Sequence, residues 1–175
     1  MKQISLLRHA QAADRSPGIA DIDRPLTARG QEDSQLIGAF LAKSGARPDI
    51  ILCSPSARTR ETLAGVAKRL PATPEPLFND AIYGGFEREL LCAIKNLPDA
   101  YGHVLIIGHN PGMHALALKL AAPEVSDAEA LDRLKHKYPK GGLAAFAFDV
   151  DSWRKIEFGA GTLSGFTRPK DLRQA

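Results

Sequence analysis

Arg8 and His9 stand side by side behind an apolar run, in "LLRHAQA" at residues 6–12, with no turn residue before them. A guanidinium and an imidazole at the mouth of a buried strand are costly unless a partner uses them. The same arrangement recurs twice. The apolar run at residues 50–53 leads into "SPSAR", which ends in Arg58, and the run at residues 104–107 leads into "GHN", which carries His109 and Asn110. Two arginines and two histidines behind short apolar runs describe a site for an anion, and phosphate fits best. Arginine presents a planar fork of donors that matches phosphate oxygens in pairs. Fixed cations also stabilise the charge spread over a transferring phosphoryl group. A neutral imidazole is a good nucleophile at neutral pH and forms covalent intermediates. With the arginines supplying charge, this chemistry calls for neither a metal ion nor another cofactor.

These residues need elements to position them. Residues 3–7, 50–53 and 104–107 read as short buried strands, each followed by a helical pattern. Thr27 is placed to cap a helix whose core face is Leu36, Ile37, Phe40 and Leu41 and which ends near Gly45. Ser54-Pro55 and Asn110-Pro111 each read as an N-cap followed by proline at the first helical position. Residues 71–85 hold three prolines and two glycines and read as an irregular excursion. Leu90, Ile94 and Leu97 mark a helix over residues 86–97, and Ser126-Asp127-Ala128-Glu129 is a capping box opening another. Residues 143–148 and 153–158 read as two strands around an Asp-Ser turn, with a weakly patterned tail from Gly159. Repeated strand–helix–strand units predict an α/β fold. It is a three-layer α/β/α sandwich with a mostly parallel central sheet, to which the closing hairpin adds an antiparallel strand. Ligands of such sheets bind beyond the carboxyl ends of the strands. Arg8, His9, Arg58 and His109 therefore converge if their strands are neighbours, with two helix N-termini directed at the same edge.

The chain has 175 residues, which predicts a single domain over 1–175, and a net charge of +3. Lys and Arg are spread along it rather than gathered in a block, so nucleic acid is not an expected partner. Cys53 and Cys92 lie outside any CxxC pattern, which argues against a disulfide framework and a zinc ribbon. No HxxxH or HxH spacing supports a metal, and two arginines would repel one. His103, His114 and His136 lack strand-end placement and read as structural or exposed. The first residues lack a signal-peptide core, and no apolar stretch approaches the roughly 18 residues of a membrane helix. A cytoplasmic protein without a membrane partner is the expectation.

The three strand-end segments, "LLRHA", "SPSARTRET" and "IGHNPG", match in order the core motifs of the histidine phosphatase superfamily, also called the phosphoglycerate mutase-like or RHG-motif family. The chain resembles that family from about residue 3 to the late hairpin, and weakly through "LSGFTRPKDL". "DIDRPLTARG" at residues 21–30 and the short chain look like its SixA-type phosphohistidine phosphatases. The resemblance implies a phosphoglycerate mutase-like fold. It makes His9 the nucleophile that becomes phosphohistidine, Arg8 and Arg58 the phosphate-clamping arginines, and His109 the second histidine on the phosphoryl group. In the mutase branch a Glu shortly before a Tyr-Gly pair is the general acid, and "DAIYG" puts Asp80 there. Asn110 and Ser54 are expected to add hydrogen bonds at the phosphate edge. Ala10 stands where the motif has glycine, and Gln11 where mutases carry an acid; both lead away from a mutase.

The expected activity is a two-step phosphatase. The excursion before the third strand is short for an elaborate lid, and a shallow site suits a phosphoryl group on a protein surface. An imidazole leaving group, with a pKa of about 6.5, also needs less acid help than an alkoxide. The expected partner is thus a phosphorylated substrate, above all a phosphohistidine-bearing protein. The alternatives are a broad-specificity phosphomonoesterase for small metabolites and a non-catalytic phosphate-binding module.

Overall fold

The computed structural model describes residues 1–173. Six strands form one sheet in the order β3-β2-β4-β1-β5-β6, where β1 is Lys2–Arg8, β2 Ile50–Cys53, β3 Pro76–Phe78, β4 His103–Gly108, β5 Leu143–Phe148 and β6 Thr162–Thr167. The pairs β1–β4, β4–β2 and β2–β3 are parallel, and β5 runs antiparallel to both β1 and β6. The predicted mostly parallel sheet with one antiparallel strand is thus the observed one.

Alternation along the central strands feeds two cores. Ile4, Leu6, Leu52, Val104 and Ile106 face one, covered by α4 (Glu87–Lys95), α5 (Gly112–Leu120) and α6 (Ala128–His136). Leu7, Ile51, Cys53, Leu105 and Ile107 face the other, covered by α1 (Ala28–Lys43) and α2 (Ala57–Ala67). A short α3 (Ala81–Gly84) follows β3 inside the expected irregular excursion, and α7 (Pro169–Arg173) packs on α1.

Several local expectations shift by a residue or two. Ser56, not Ser54, is the N-cap of α2, and Pro111 occupies the cap of α5. The α6 cap is Asp127, whose carboxylate accepts from the Ala130 amide at 2.7 Å. Ser126 instead donates to the Ala122 carbonyl and accepts from the Leu163 amide, tying α5, α6 and β6 together. On α1 the buried apolar positions are Ile37 and Leu41, while Leu36 and Phe40 stay half-buried.

The larger correction concerns the hairpin. Residues 153–158 are not a strand: Trp153–Lys155 is a 3-10 turn, and the second strand is β6, in the segment read as weakly patterned. Trp153 and Ile156 are both fully buried, a spacing of three that suits a helical turn rather than a strand. The Trp153 amide donates to Asp99 Oδ1 and its indole to the Tyr101 carbonyl, which anchors the turn. In β6 a register shift opposite Ala145/Phe146 puts both Leu163 and Phe166 inward. That bulge erases the period-two signal that would have marked the strand.

Candidate active site

Parallel register places the strand ends together. Arg8 lies opposite Gly108 at the carboxyl ends of β1 and β4, and Cys53 of β2 lies opposite Ile107. The residues that follow therefore meet at one edge. Two backbone features hold them. Gly30 allows the start of α1 to lie against the loop after β1, because a Cβ there would sit 2.1 Å from the Gln11 carbonyl oxygen. Gly141, with φ of +73°, turns the segment before β5 so that its amide reaches the Arg8 and His9 carbonyls at 3.1 and 3.0 Å.

Arg8, His9, Arg58, His109 and Asn110 all line one cavity of about 370 Å³. His9 is 6% exposed. Its Nδ1 stands 2.7 Å from the Ala10 carbonyl, which requires a proton on Nδ1 and leaves the lone pair on Nε2. Burial, followed by the charges of His109, Arg58 and Arg8, lowers its pKa to about 3 against the hydrogen bond to Ala10, so the ring is neutral at physiological pH. The ring of His109 lies 5.1 Å from that of His9. Burial and then Arg58 hold His109 at about 4. The Ala after the pair is fully buried and its amide donates to Thr62 Oγ1 at 3.0 Å.

Arg8 donates from Nη1 to the Tyr138 carbonyl, which also accepts from Asn110 Nδ2. Ser54, expected at the phosphate edge, is fully buried and stands 2.8 Å from His109 Nε2, where it orients that ring. Among the described residues five buried side-chain atoms find no hydrogen-bond partner, and four are in this site: Arg8 Nε, Arg58 Nε, His109 Nδ1 and Asn110 Oδ1. Three of the four are nitrogens of the residues expected to grip phosphate. Such unpaired groups are rare in folded interiors and cost stability, and the two guanidinium nitrogens among them are donors that suit an anion.

Asp80 is not brought to this cavity. It is exposed and lies just before α3. The carboxylate lining the cavity is Asp21, which sequence reasoning missed. Arg58 donates from Nη1 to the Asp21 carbonyl at 2.6 Å and from Nη2 to Oδ2 at 3.0 Å. Tyr83 Oη donates to the same Oδ2, and Arg24 reaches Oδ1 through Nε and Nη2. Desolvation opposes ionisation, but the Tyr83 hydrogen bond and the charges of Arg58 and Arg24 outweigh it and lower Asp21 to about 2. The clue lay inside "DIDRPLTARG", where an acid three residues before Arg24 follows a loop long enough to reach the site. Among the described residues no group of three or more His, Cys, Asp or Glu is placed to hold a metal ion. Nor is any described helix long and apolar enough to cross a membrane.

The chain was compared with known families, sequences and structures. Residues 4–147 match the model of the histidine phosphatase superfamily (branch 1). A Mycobacterium tuberculosis protein is 34% identical over 164 residues, covering 94% of this chain and 100% of the relative. The phosphohistidine phosphatase SixA of Escherichia coli is 30% identical over 126 residues, 70% of this chain and 76% of SixA. A structure from Nakamurella multipartitia named for phosphohistidine phosphatase SixA superposes with a TM-score of 0.82 at 27% identity, covering 96% of both chains. Family model, sequence and fold agree with the clustered histidines and arginines, and the chain belongs to the histidine phosphatase superfamily, in its SixA-type branch.

Proposed function

We propose that this protein is a metal-independent phosphatase that hydrolyses a phosphohistidine carried on another protein, through a phosphohistidine formed on its own His9. Membership of the superfamily and the SixA relatives support phosphatase chemistry. The observation that carries the finer reading is the state of the acid. Asp21, the carboxylate lining the cavity, is held ionised by Arg58, Arg24 and Tyr83, and Asp80 lies outside. An alkoxide leaving group requires a proton as it departs, whereas an imidazole of pKa about 6.5 requires far less help.

In the first step His9 Nε2 attacks phosphorus, the bond from phosphorus to the substrate nitrogen breaks, and the leaving imidazole takes its proton from solvent. Arg8, Arg58 and His109 hold the equatorial oxygens, and their donors are fixed before charge develops. In the second step water attacks phosphorus, the bond to Nε2 breaks, and inorganic phosphate leaves with neutral His9 restored.

The test is a substrate panel with a trapping experiment. A phosphohistidine protein should be turned over at least about a hundredfold faster, as kcat/KM, than sugar phosphates, an expectation built on the acid requirement. Chelation of divalent metals should leave the rate unchanged. An acid-labile phosphoenzyme should appear in wild type and be absent in His9→Ala. Preference for small phosphomonoesters would favour the metabolite phosphatase, and absence of any phosphoenzyme would favour a binding module.

A further inference from the structure

The loop of residues 137–142, between α6 and β5, is a wall shared by two cavities. On one side it holds the catalytic residues: the Tyr138 carbonyl accepts from Arg8 and Asn110, and the Gly141 amide donates to the carbonyls of Arg8 and His9. Lys140 lines the catalytic cavity and also a neighbouring one of about 570 Å³. The second cavity is bounded by α1, α6, this loop and α7, and its lining carries seven Lys and Arg side chains against two aspartates.

Among the described residues the basic side chains there outnumber their acidic partners. Arg133 and Arg168 share Asp171, with Glu129 also near Arg133, and Arg29 and Arg173 share Asp33. Lys137, Lys140 and Lys170 are exposed and make no ion pair among the described residues. The catalytic cavity, by contrast, offers little for a leaving group: Ala12 is the one aliphatic side chain in its lining. Pockets that select small organic ligands are lined largely by apolar groups. Discrimination beyond the phosphoryl group therefore falls to the adjoining surface, which is basic.

We propose that this basic groove docks an acidic face of the phosphorylated protein substrate and so delivers its phosphohistidine to His9; the proposal rests on the reading above that the substrate is a protein-borne phosphohistidine. The complementary charge raises the encounter rate and fixes orientation across the shared wall. A nucleic acid fits less well, because among the described residues no Phe, Tyr or Trp lines the groove for base stacking and two aspartates oppose a phosphate backbone.

The test uses two phosphohistidine peptides of equal length, one flanked by Glu and Asp and one by Asn and Ser. Wild type should prefer the acidic peptide by roughly tenfold in kcat/KM, and raising salt from about 0.05 to 0.5 M should remove the preference. The double variant Lys137→Glu/Lys170→Glu, both outside the catalytic cavity, should lose the preference and keep p-nitrophenyl phosphate turnover. The milder Lys137→Gln/Lys170→Gln pair provides the same reading if charge reversal impairs folding. A preference that survives in both double variants overturns the proposal, as does an equal loss on both peptides and p-nitrophenyl phosphate.

Binding without turnover separates this inference from the functional one. His9→Ala should bind an unphosphorylated Glu-rich peptide, read by fluorescence anisotropy, and bind it more weakly once Lys137 and Lys170 are also replaced. That result alongside no hydrolysis of any phosphohistidine peptide by the wild type would leave the acidic docking in place and remove the phosphohistidine reading. Tighter binding of tripolyphosphate or of a single-stranded oligonucleotide than of the peptide would overturn acidic-protein docking.

Discussion

Strand β4 begins at one histidine, His103, and is followed at once by another, His109, and its two ends differ in how their polar groups are used. At the amino end, His103 Nε2 stands 2.9 Å from Ser5 Oγ, and Asp49 accepts from the amides of Gly102 and His103. Nearby, Lys2 Nζ donates to the carbonyls of Asp99 and Tyr101 and lies over the Trp153 ring. No atom of that cluster is among those left buried and unpaired. At the carboxyl end, His109, Arg8, Arg58 and Asn110 each keep one such atom. His103 is buried and His109 half-buried, and desolvation lowers the pKa of each. Desolvation alone therefore does not separate these two histidines; an unpaired buried ring nitrogen marks His109 and not His103.

The widest separation between the two edges of the sheet should come from deleting one histidine at each, His9 and His103. His9→Ala should reduce kcat by on the order of 10⁴-fold or more, as loss of a nucleophile does. His103→Ala should leave kcat/KM within about twofold and lower unfolding stability by roughly 1–3 kcal/mol, because Ser5 loses its buried partner. Phosphatase assays paired with urea melts measure both. A His103 variant that lost catalysis while remaining folded would erase the distinction.

Next in size is the clamp. Arg58→Ala should cost roughly 10²–10³ in kcat/KM. Its stability should change little, because the Asp21 ion pair it breaks is balanced by removal of an unpaired buried nitrogen. Steady-state kinetics with thermal melts on the same preparation would show whether the two effects separate.

A smaller effect concerns acid. His9 and His109 have folded pKa values of about 3 and 4, below the unfolded value near 6.5. Between those values the unfolded chain binds more protons, so stability is full above about pH 7 and falls as pH drops toward 4. Each histidine should contribute roughly 2 kcal/mol of loss between pH 7 and 5. Urea midpoints at the two pH values should converge in His9→Ala by about its share. Nitrogen NMR of His9 should show an Nδ1–H tautomer with no titration near pH 6.5.

Much of this arrangement is legible in the chain itself. Apolar runs bounded by polar residues mark β1, β2 and β4, and the Arg and His behind them fall together because parallel register aligns strand ends. What escaped detection depends on contacts between distant segments. Asp21 becomes a site residue only because the loop after β1 folds back over α2, and Arg58 and Tyr83 reach it from elements 37 and 62 residues away. Ser54 reads as a helix cap because Pro55 follows it at the first helical position, yet His109 claims its hydroxyl. The strand β6 was hidden by its bulge. Local patterns identify elements and sheet-edge chemistry, and they fail where a side chain chooses between a near and a far partner.

The grip of Asp21 on Arg58 has a kinetic consequence. On the mechanism proposed above, an incoming phosphoryl group takes over donors that a tethered carboxylate already holds, so capture becomes an exchange of one anion for another. On the same mechanism the exchange runs backward after hydrolysis, Asp21 taking Arg58 back as inorganic phosphate leaves. Asp21→Asn should accordingly tighten product inhibition by phosphate by roughly three- to tenfold, in proportion to the charge removed. An inhibition constant unchanged in that variant would mean the carboxylate does not compete. On this mechanism a site that makes a free anion in every cycle carries its own displacing ion in Asp21.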